Sequence, residues 1–261
     1  MKVIWITGAS SGIGEALVKV YSENKENHII LSSRSKKELD RVLKETALED
    51  RGFVLPLDLE KDLTFPTIVT RAIAKWGQID VLIGNGGISQ RDLAENTSMS
   101  VIRKIMEVNY FGNVSLSLKL LPHFLERGKG HFVAVSSVAG KIGTRFRSAY
   151  SASKHALHGF YDSLRAEVHD RGIRVTIICP GYVKTKISYN ALLGSGKVQN
   201  KMDDVQNNGL DPIYVARVIV KAIDKSKEEV LVGGLQENLG ALLKRFWPGL
   251  LSKKLRTAKV T

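Results

Sequence analysis

Tyr150 and Lys154 stand four residues apart in the run Ala149-Tyr150-Ser151-Ala152-Ser153-Lys154, which leads into a helical pattern ending near Asp170. On a helix that spacing puts both side chains on one face. A free phenol titrates at about 10, so it exchanges a proton at neutral pH only where its anion is stabilised, and a neighbouring ammonium supplies that stabilisation. A lone Tyr-x-x-x-Lys is weak evidence, because many helices contain one by chance. Two further residues strengthen it. Ser137 closes the apolar run Phe132–Ser137 at a predicted strand end, where its hydroxyl is placed to hydrogen-bond the same substrate oxygen as Tyr150. Asn109 falls in the middle of a predicted helix, where an amide is unfavourable unless it has a role; an Asn satisfied within the fold is the alternative reading.

The second constellation is Thr7-Gly8-Ala9-Ser10-Ser11-Gly12-Ile13-Gly14, directly after an apolar run and opening a helical pattern. Glycines let a backbone turn sharply and approach a diphosphate, whose charge is stabilised by free N–H groups at a helix N-terminus. The spacing of Gly8, Gly12 and Gly14 departs from the GxGxxG dinucleotide fingerprint, so a turn serving only strand–helix packing is the alternative. A cofactor lacking the 2′-phosphate calls for an acid about 20 residues on, to accept the ribose 2′-hydroxyl. The sequence there reads Leu31-Ser32-Ser33-Arg34-Ser35-Lys36, with no carboxylate. Arg34 can instead pair with a 2′-phosphate through its planar fork, with Ser33 adding a hydrogen bond, so NADP(H) is expected rather than NAD.

Six motifs occur in order: TGASSGIG, Asn85-Gly86-Gly87, the segment around Asn109, Ser137, YSASK, and Pro180-Gly181-Tyr182-Val183-Lys184-Thr185. Together they resemble the short-chain dehydrogenase/reductase family over roughly residues 3–185, and a last predicted strand extends the likeness to about 232. The resemblance implies interconversion of a carbonyl and an alcohol with NADP(H), Tyr150 acting as general acid or base. It further implies that Lys154 lowers the tyrosine pKa and binds the nicotinamide ribose, that Ser137 orients the carbonyl, and that Asn109 holds a water linking Lys154 to solvent. By the same resemblance Asp58 contacts adenine, Asn85 and Gly86 lie beside the adenosine ribose, and Pro180, Gly181, Val183 and Thr185 line the nicotinamide end. One departure stands out. Gly84 replaces the first amide of the family's Asn-Asn-Ala-Gly, which is expected to loosen a structural hydrogen bond near the fourth strand. NGGISQR at 85–91, SKHAL at 153–157 and Arg245-Phe246-Trp247-Pro248 resemble the dehydrogenase/reductase member-seven branch, whose members are often membrane-associated and act on lipophilic carbonyls.

The elements that must hold these residues are legible from hydrophobic period. Short β-branched runs at Val3–Thr7, His28–Ser32, Phe53–Leu57, Val81–Gly84, His131–Ser136, Arg174–Cys179 and Glu229–Val232 alternate with helical patterns at Glu15–Glu23, Lys36–Leu48, Phe65–Trp76, Met99–Leu125, Ala149–Asp170 and Asp211–Ile223. That alternation predicts an α/β fold, a single-domain Rossmann fold across residues 1–261, with a doubly wound seven-stranded parallel sheet and helices on both faces. In such sheets the ligand crevice lies beyond the carboxyl ends of the strands, where the candidate residues fall. Residues 184–210 have weak periodicity and follow a strand end, and are expected to form a substrate lid; a disordered insertion is the alternative. From about 235 to 261 an apolar stripe is interleaved with Lys244, Arg245, Lys253, Lys254, Arg256 and Lys259, with Pro248 interrupting it. This amphipathic basic tail is expected to pack over the crevice or on a second subunit, or to make a weak peripheral membrane contact.

At 261 residues with 43% hydrophobic and 25% charged residues, the chain reads as globular rather than disordered or fibrous. Its single cysteine, Cys179, excludes an internal disulfide and reads as a buried thiol. Of the six histidines only His155 and His158 lie at one-turn spacing, without an acidic or cysteine ligand beside them in sequence, so no metal is expected. A formal charge of +13 implies an anionic partner, which could be a polyphosphate cofactor, an acidic carrier, nucleic acid or anionic lipid. No nucleic-acid partner is expected. The opening apolar run is too short for a signal peptide or a membrane span, which predicts a cytoplasmic protein. A homodimer or homotetramer acting on a small or lipophilic carbonyl or alcohol is the leading expectation. A 3-ketoacyl-carrier-protein-type reductase shares the chemistry and differs in partner, whereas a non-catalytic NADP(H)-binding regulator would need none of Tyr150, Lys154, Ser137 and Asn109.

Overall fold

Val3 to Thr7 are buried on both faces, as a central strand of a parallel sheet must be. In the computed structural model, which describes residues 1–258, they lie in β1 (Lys2–Thr7), flanked by β2 (Asn27–Ser32) and, across a reversal of winding, by β4 (Val81–Gly84). The sheet is completed by β3 (Gly52–Val54), β5 (Gly130–Val135), β6 (Ile173–Pro180) and β7 (Glu229–Val232) in the spatial order β3-β2-β1-β4-β5-β6-β7. Every pairing is parallel. The sequence expectation of a doubly wound seven-stranded sheet is met.

The helices in chain order are α1 (Gly12–Ser22), α2 (Lys36–Glu45), α3 (Phe65–Trp76), α4 (Met99–Met106), α5 (Gly112–Arg127), α6 (Ser148–Glu167), α7 (Asp204–Asn207), α8 (Pro212–Asp224), α9 (Leu235–Phe246) and α10 (Pro248–Leu255). Strand alternation sorts the core into two layers. Ile4 and Ile6 face Leu17 and Val18 of α1, Leu39 of α2 and Ile219 of α8. Val3 and Trp5 face Phe65 of α3, Leu120 and Phe124 of α5 and Tyr161 of α6.

Two differences from the sequence reading concern element boundaries. β3 is assigned only to Val54 although Leu55 and Leu57 still donate to Leu31 and Ser33; Pro56 between them has its ring nitrogen facing away from β2, which an edge strand allows. The predicted Met99–Leu125 helix is interrupted by a π-helical turn, Glu107–Phe111, between α4 and α5. Residues 184–210 are tied to the rest of the fold: Leu192 donates to Ser89 O, Arg91 donates to Leu192 O, and Ser188, Ala191 and Asp203 are buried. The tail breaks at Pro248 as expected, with Trp247 outside the helical region at φ −136° and ψ 62°. Lys259 lies outside the described residues.

Candidate active site

Helix α6 starts beside the end of β5 and carries Tyr150 and Lys154 one turn apart. The Lys154 ammonium is almost fully buried and donates to Val135 O at 2.8 Å, which anchors it to the last residue of β5. Its Nζ lies 5.8 Å from the centre of the Tyr150 ring. Burial depresses the lysine to about 8. Burial also raises the Tyr150 hydroxyl above its ordinary value, while a hydrogen bond with Ser137 and the charges of Arg147 and Arg91 act in the opposite sense. Ser137 follows β5; its hydroxyl accepts from Ala139 N at 3.1 Å and donates to Pro180 O at 3.3 Å, joining the ends of β5 and β6.

Asn109 occupies the π-helical turn, a deformation that frequently marks functional positions. Fully buried, it accepts from Ile88 N at 2.8 Å and donates to Ile88 O at 2.9 Å and Ser153 Oγ at 3.0 Å. The amide therefore locks the segment after β4 to α6. A Cβ on Gly87 would stand 3.0 Å from Asn109 Oδ1 and 3.6 Å from Lys154 Nζ, so the glycine keeps open a gap on which both groups converge.

All four of these residues are brought together, and three of them, Ser137, Tyr150 and Lys154, line one cavity of about 630 Å³. Of the phosphate-loop residues Ile13 lines this cavity, while Ser10, Ser11 and Gly12 line a second one of about 400 Å³ that shares Thr185 with it. Gly8 and Gly12 have φ of +66° and +57°, which favour glycine. A Cβ on Gly14 would meet Gly8 O at 2.1 Å. Ser11, at the N-cap of α1, makes no side-chain cap, which leaves first-turn N–H groups for an anion. Asn85 donates to Thr7 O at 3.0 Å, and the N–H groups of Asn85 and Gly86 both donate to Thr7 Oγ1, fastening the end of β4 to the loop. Ile13, Asn85, Pro180, Gly181, Val183 and Thr185 line the cavity, with Thr185 packed against Gly12. Beyond β2, Arg34 is exposed and Ser33 Oγ is buried without a hydrogen-bond partner, among the described residues. Ser10 O accepts from Arg41, whose guanidinium also pairs with Glu15, Glu38 and Glu45. Asp58 uses one carboxylate oxygen to accept from Glu60 N. This glycine cradle, uncapped helix and orphaned hydroxyl fit a dinucleotide.

Several residues at the site carry no local sequence signal. Arg91 and Arg147 both reach Asp203 Oδ2, at 2.6 and 3.4 Å, joining the segment after β4, the start of α6 and the 184–210 region. Arg147 also donates to Tyr182 Oη at 3.1 Å and stacks over that ring. The expectation that His158 has no ligand-type neighbours needs correction: β6 and β7 bring Cys179 and Glu229 beside it, with ligand atoms within 4.8 Å of one another. Lys141 also pairs with Glu229 at 2.6 Å, and burial pushes the thiol up to about 12, both of which disfavour a cation there. At Gly84 the missing amide is matched by an orphaned group. Asn113 Oδ1 is buried without a partner, 2.9 Å from where a Cβ would stand on Gly84.

A doubly wound sheet with a glycine cradle after β1 and a Ser–Tyr–Lys group at the carboxyl ends of β5 and α6's first turns defines a dinucleotide-dependent oxidoreductase architecture. The short chain dehydrogenase family model matches residues 2–193, and the chain belongs to the short-chain dehydrogenase/reductase family. Within it, the chain is 43% identical over 254 residues to a Drosophila melanogaster protein named Dehydrogenase/reductase SDR family protein 7-like, covering 95% of this chain and 78% of that one. A crystal structure of a short-chain dehydrogenase from Streptomyces avermitilis superposes with a TM-score of 0.84 at 31% identity, covering 99% of this chain and 98% of that one. A Burkholderia phymatum family member in complex with NAD shares the fold, with a TM-score of 0.86 at 19% identity over 100% of this chain and 98% of its own.

Proposed function

We propose that this chain is an NADP(H)-dependent oxidoreductase that interconverts a carbonyl and an alcohol on a lipophilic substrate. The observation that carries the reading is that Tyr150 and Ser137 line one largely apolar cavity with Lys154, buried one helical turn from the tyrosine. When bound, the nicotinamide cofactor supplies or accepts the hydride. Tyr150 delivers a proton to the carbonyl oxygen as general acid, and takes it back in the alcohol direction. Ser137 holds that oxygen. The Lys154 ammonium lowers the cost of the phenolate, and Asn109 with Gly87 keeps a path by which the proton is replaced from solvent. Gly8, Ser10, Ser11, Gly12, Ile13 and Gly14 would cradle the diphosphate, Asp58, Asn85 and Gly86 the adenosine, and Pro180, Gly181, Val183 and Thr185 the nicotinamide end. Ser33 and Arg34, with no acid after β2, favour the 2′-phosphate.

Val138, Ile142, Leu210, Leu251 and Leu255 among the lining residues favour an apolar substrate body, and residues 184–210 act as its lid. A second reading concerns the tail. Its inner face packs Leu251 against Val138 and Ile142, while Leu235, Leu239, Leu242, Phe246 and Trp247 are exposed beside Lys244, Arg245, Lys253 and Lys254. That outer face suits a weak contact with an anionic membrane surface from the cytoplasmic side. No helix among the described residues is long and apolar enough to cross a membrane.

The test follows cofactor oxidation with aliphatic and aromatic ketones and aldehydes, with NADPH and with NADH. Turnover is expected with NADPH, and Tyr150→Phe should keep cofactor binding while losing about 10²-fold or more in kcat. Near-normal turnover in that variant would remove Tyr150 from the proton-transfer role.

A further inference from the structure

Arg91 is the most constrained charge in the cavity that the proposed chemistry does not use. It is 6% exposed and lines the same space as Tyr150 and Ser137. Burying a guanidinium costs several kcal/mol unless it is paired, so its partners decide its purpose. Nε donates to Asp203 Oδ2 at 2.6 Å, and Nη1 donates to Ser89 Oγ at 2.7 Å and Gln90 O at 2.6 Å. Nη2 donates to no protein group among the described residues. The one carboxylate oxygen is shared with a second cation, because Arg147 also reaches Asp203 Oδ2. Burial and the neighbouring Arg147 charge push Arg91 below its ordinary value, opposed by Asp203 and Tyr150, so a further negative charge would be favourable here.

The hydrogen bonds held by Nε and Nη1 fix the plane of the guanidinium and leave the two N–H bonds of Nη2 for an acceptor in the cavity, which one oxygen of a carboxylate satisfies through a charge-assisted bond. The remaining wall is largely apolar, from Val138 and Ile142 to Leu251 and Leu255. We propose that Arg91, backed by Arg147, forms an anion subsite that takes the carboxylate of an amphipathic substrate, an oxo acid or hydroxy acid with an apolar body. The proposal rests on the oxidoreductase reading for the reacting carbonyl. It concerns recognition at a separate group of atoms.

Two measurements separate the two readings. Binding of decanoate and of decanamide to the protein saturated with NADPH is compared by calorimetry, in wild type and in Arg91→Gln. Decanoate is expected to bind at least tenfold more tightly than the amide in wild type, with the advantage lost in the variant. Turnover is then compared for a set of oxodecanoates, differing in carbonyl position, against their amides. The acid is expected to hold an advantage in kcat/KM over its amide in wild type that Arg91→Gln abolishes, read as the acid-to-amide ratio so that any effect of the lost charge on Tyr150 cancels. Equal binding of the two probes by wild type overturns the subsite, and so does a variant that weakens both probes alike, which would mean that Arg91 only holds the 184–210 region. Should Arg91→Gln fail to fold, the wild-type ratio alone decides. Absence of turnover with both acids and amides would count against the oxidoreductase reading and leave the binding ratio to judge the subsite.

Discussion

At the β1 end of the crevice the chain turns through Gly8 and Gly12 and closes on itself, with Asn85, Gly86 and Thr7 exchanging backbone and side-chain hydrogen bonds. At the β6 end the shape depends on side chains distant in sequence: Asp203 joins Arg91 and Arg147, and Leu251 reaches back to Val138 and Ile142. The first end is backbone whose conformation only glycine permits, suited to an unvarying diphosphate. The second is held by charge pairs and apolar contacts that can be exchanged without rebuilding the sheet, which is how one fold accommodates different substrates.

The sharpest way to break this contrast is Asp203→Ala. The carboxylate is 4% exposed and shared by two buried guanidiniums, so its loss should cost about 3–5 kcal/mol and lower Tm by roughly 10 °C. Thermal denaturation with and without NADPH checks it: the cofactor should still stabilise the variant, because the β1 end is untouched. A variant that lost cofactor binding along with stability would show the two ends to be one cooperative unit.

The tail offers a contrast within a single segment. Leu251 is 5% exposed and packed, whereas Trp247 is 63% exposed. Leu251→Ala should cost about 2 kcal/mol and raise KM for apolar substrates. Trp247→Ala should stay within about 0.5 kcal/mol of wild type in solution, and weaken only attachment to anionic vesicles at low salt. Equal effects on stability would mean that the outer face is covered, by a second subunit for instance.

Smaller still is the effect of Arg34→Glu, an exposed substitution expected to leave folding alone. It puts a like charge where a 2′-phosphate would lie, and should reduce the NADPH-over-NADH ratio of kcat/KM by tenfold or more. An unchanged ratio would shift phosphate recognition elsewhere at this end, with Arg41, which donates to Ser10 O, a candidate.

What was legible in the sequence divides along the same line. The glycine spacing, the Tyr150–Lys154 register and the seven apolar runs are local signals with a fixed period; the structure puts the tyrosine and lysine on one helix and forms a strand at each run, the third shorter than predicted. By contrast nothing near Arg91 announces Asp203, which is 112 residues away. The cluster of His158, Cys179 and Glu229 likewise depends on β6 and β7 lying side by side. The π-helical turn was half visible, since Asn109 was out of place in a regular helix, but the hydrogen bonds it exchanges with the Ile88 backbone are formed only in the folded chain.

The last and smallest effect lies where the two ends meet, at Lys154. Burial holds this lysine at about 8 against an ordinary 10.5, so the native chain binds that proton less well than the unfolded one. Above pH 8 the unfolded state therefore carries more protons, and stability from this group rises with pH until about 10.5. Below 8 both states are protonated and the slope vanishes. Other buried groups oppose it at higher pH. Cys179 is raised from 9.0 to about 12, so above 9 the unfolded state releases the thiol proton first, and Tyr161, pushed up to about 12, acts the same way above 10. Only the interval from pH 8 to 9 isolates the lysine, where the gain cannot exceed about 1.4 kcal/mol per pH unit. Urea denaturation across that interval should show wild type gaining up to about 1 kcal/mol, and Lys154→Met showing no gain. Reductive kcat should fall over the same interval as the ammonium is lost beside Tyr150, so stability and activity move in opposite directions. If both stay flat, the lysine keeps its proton through pH 9 and the contact with Val135 O offsets more of its burial than the depressed value implies.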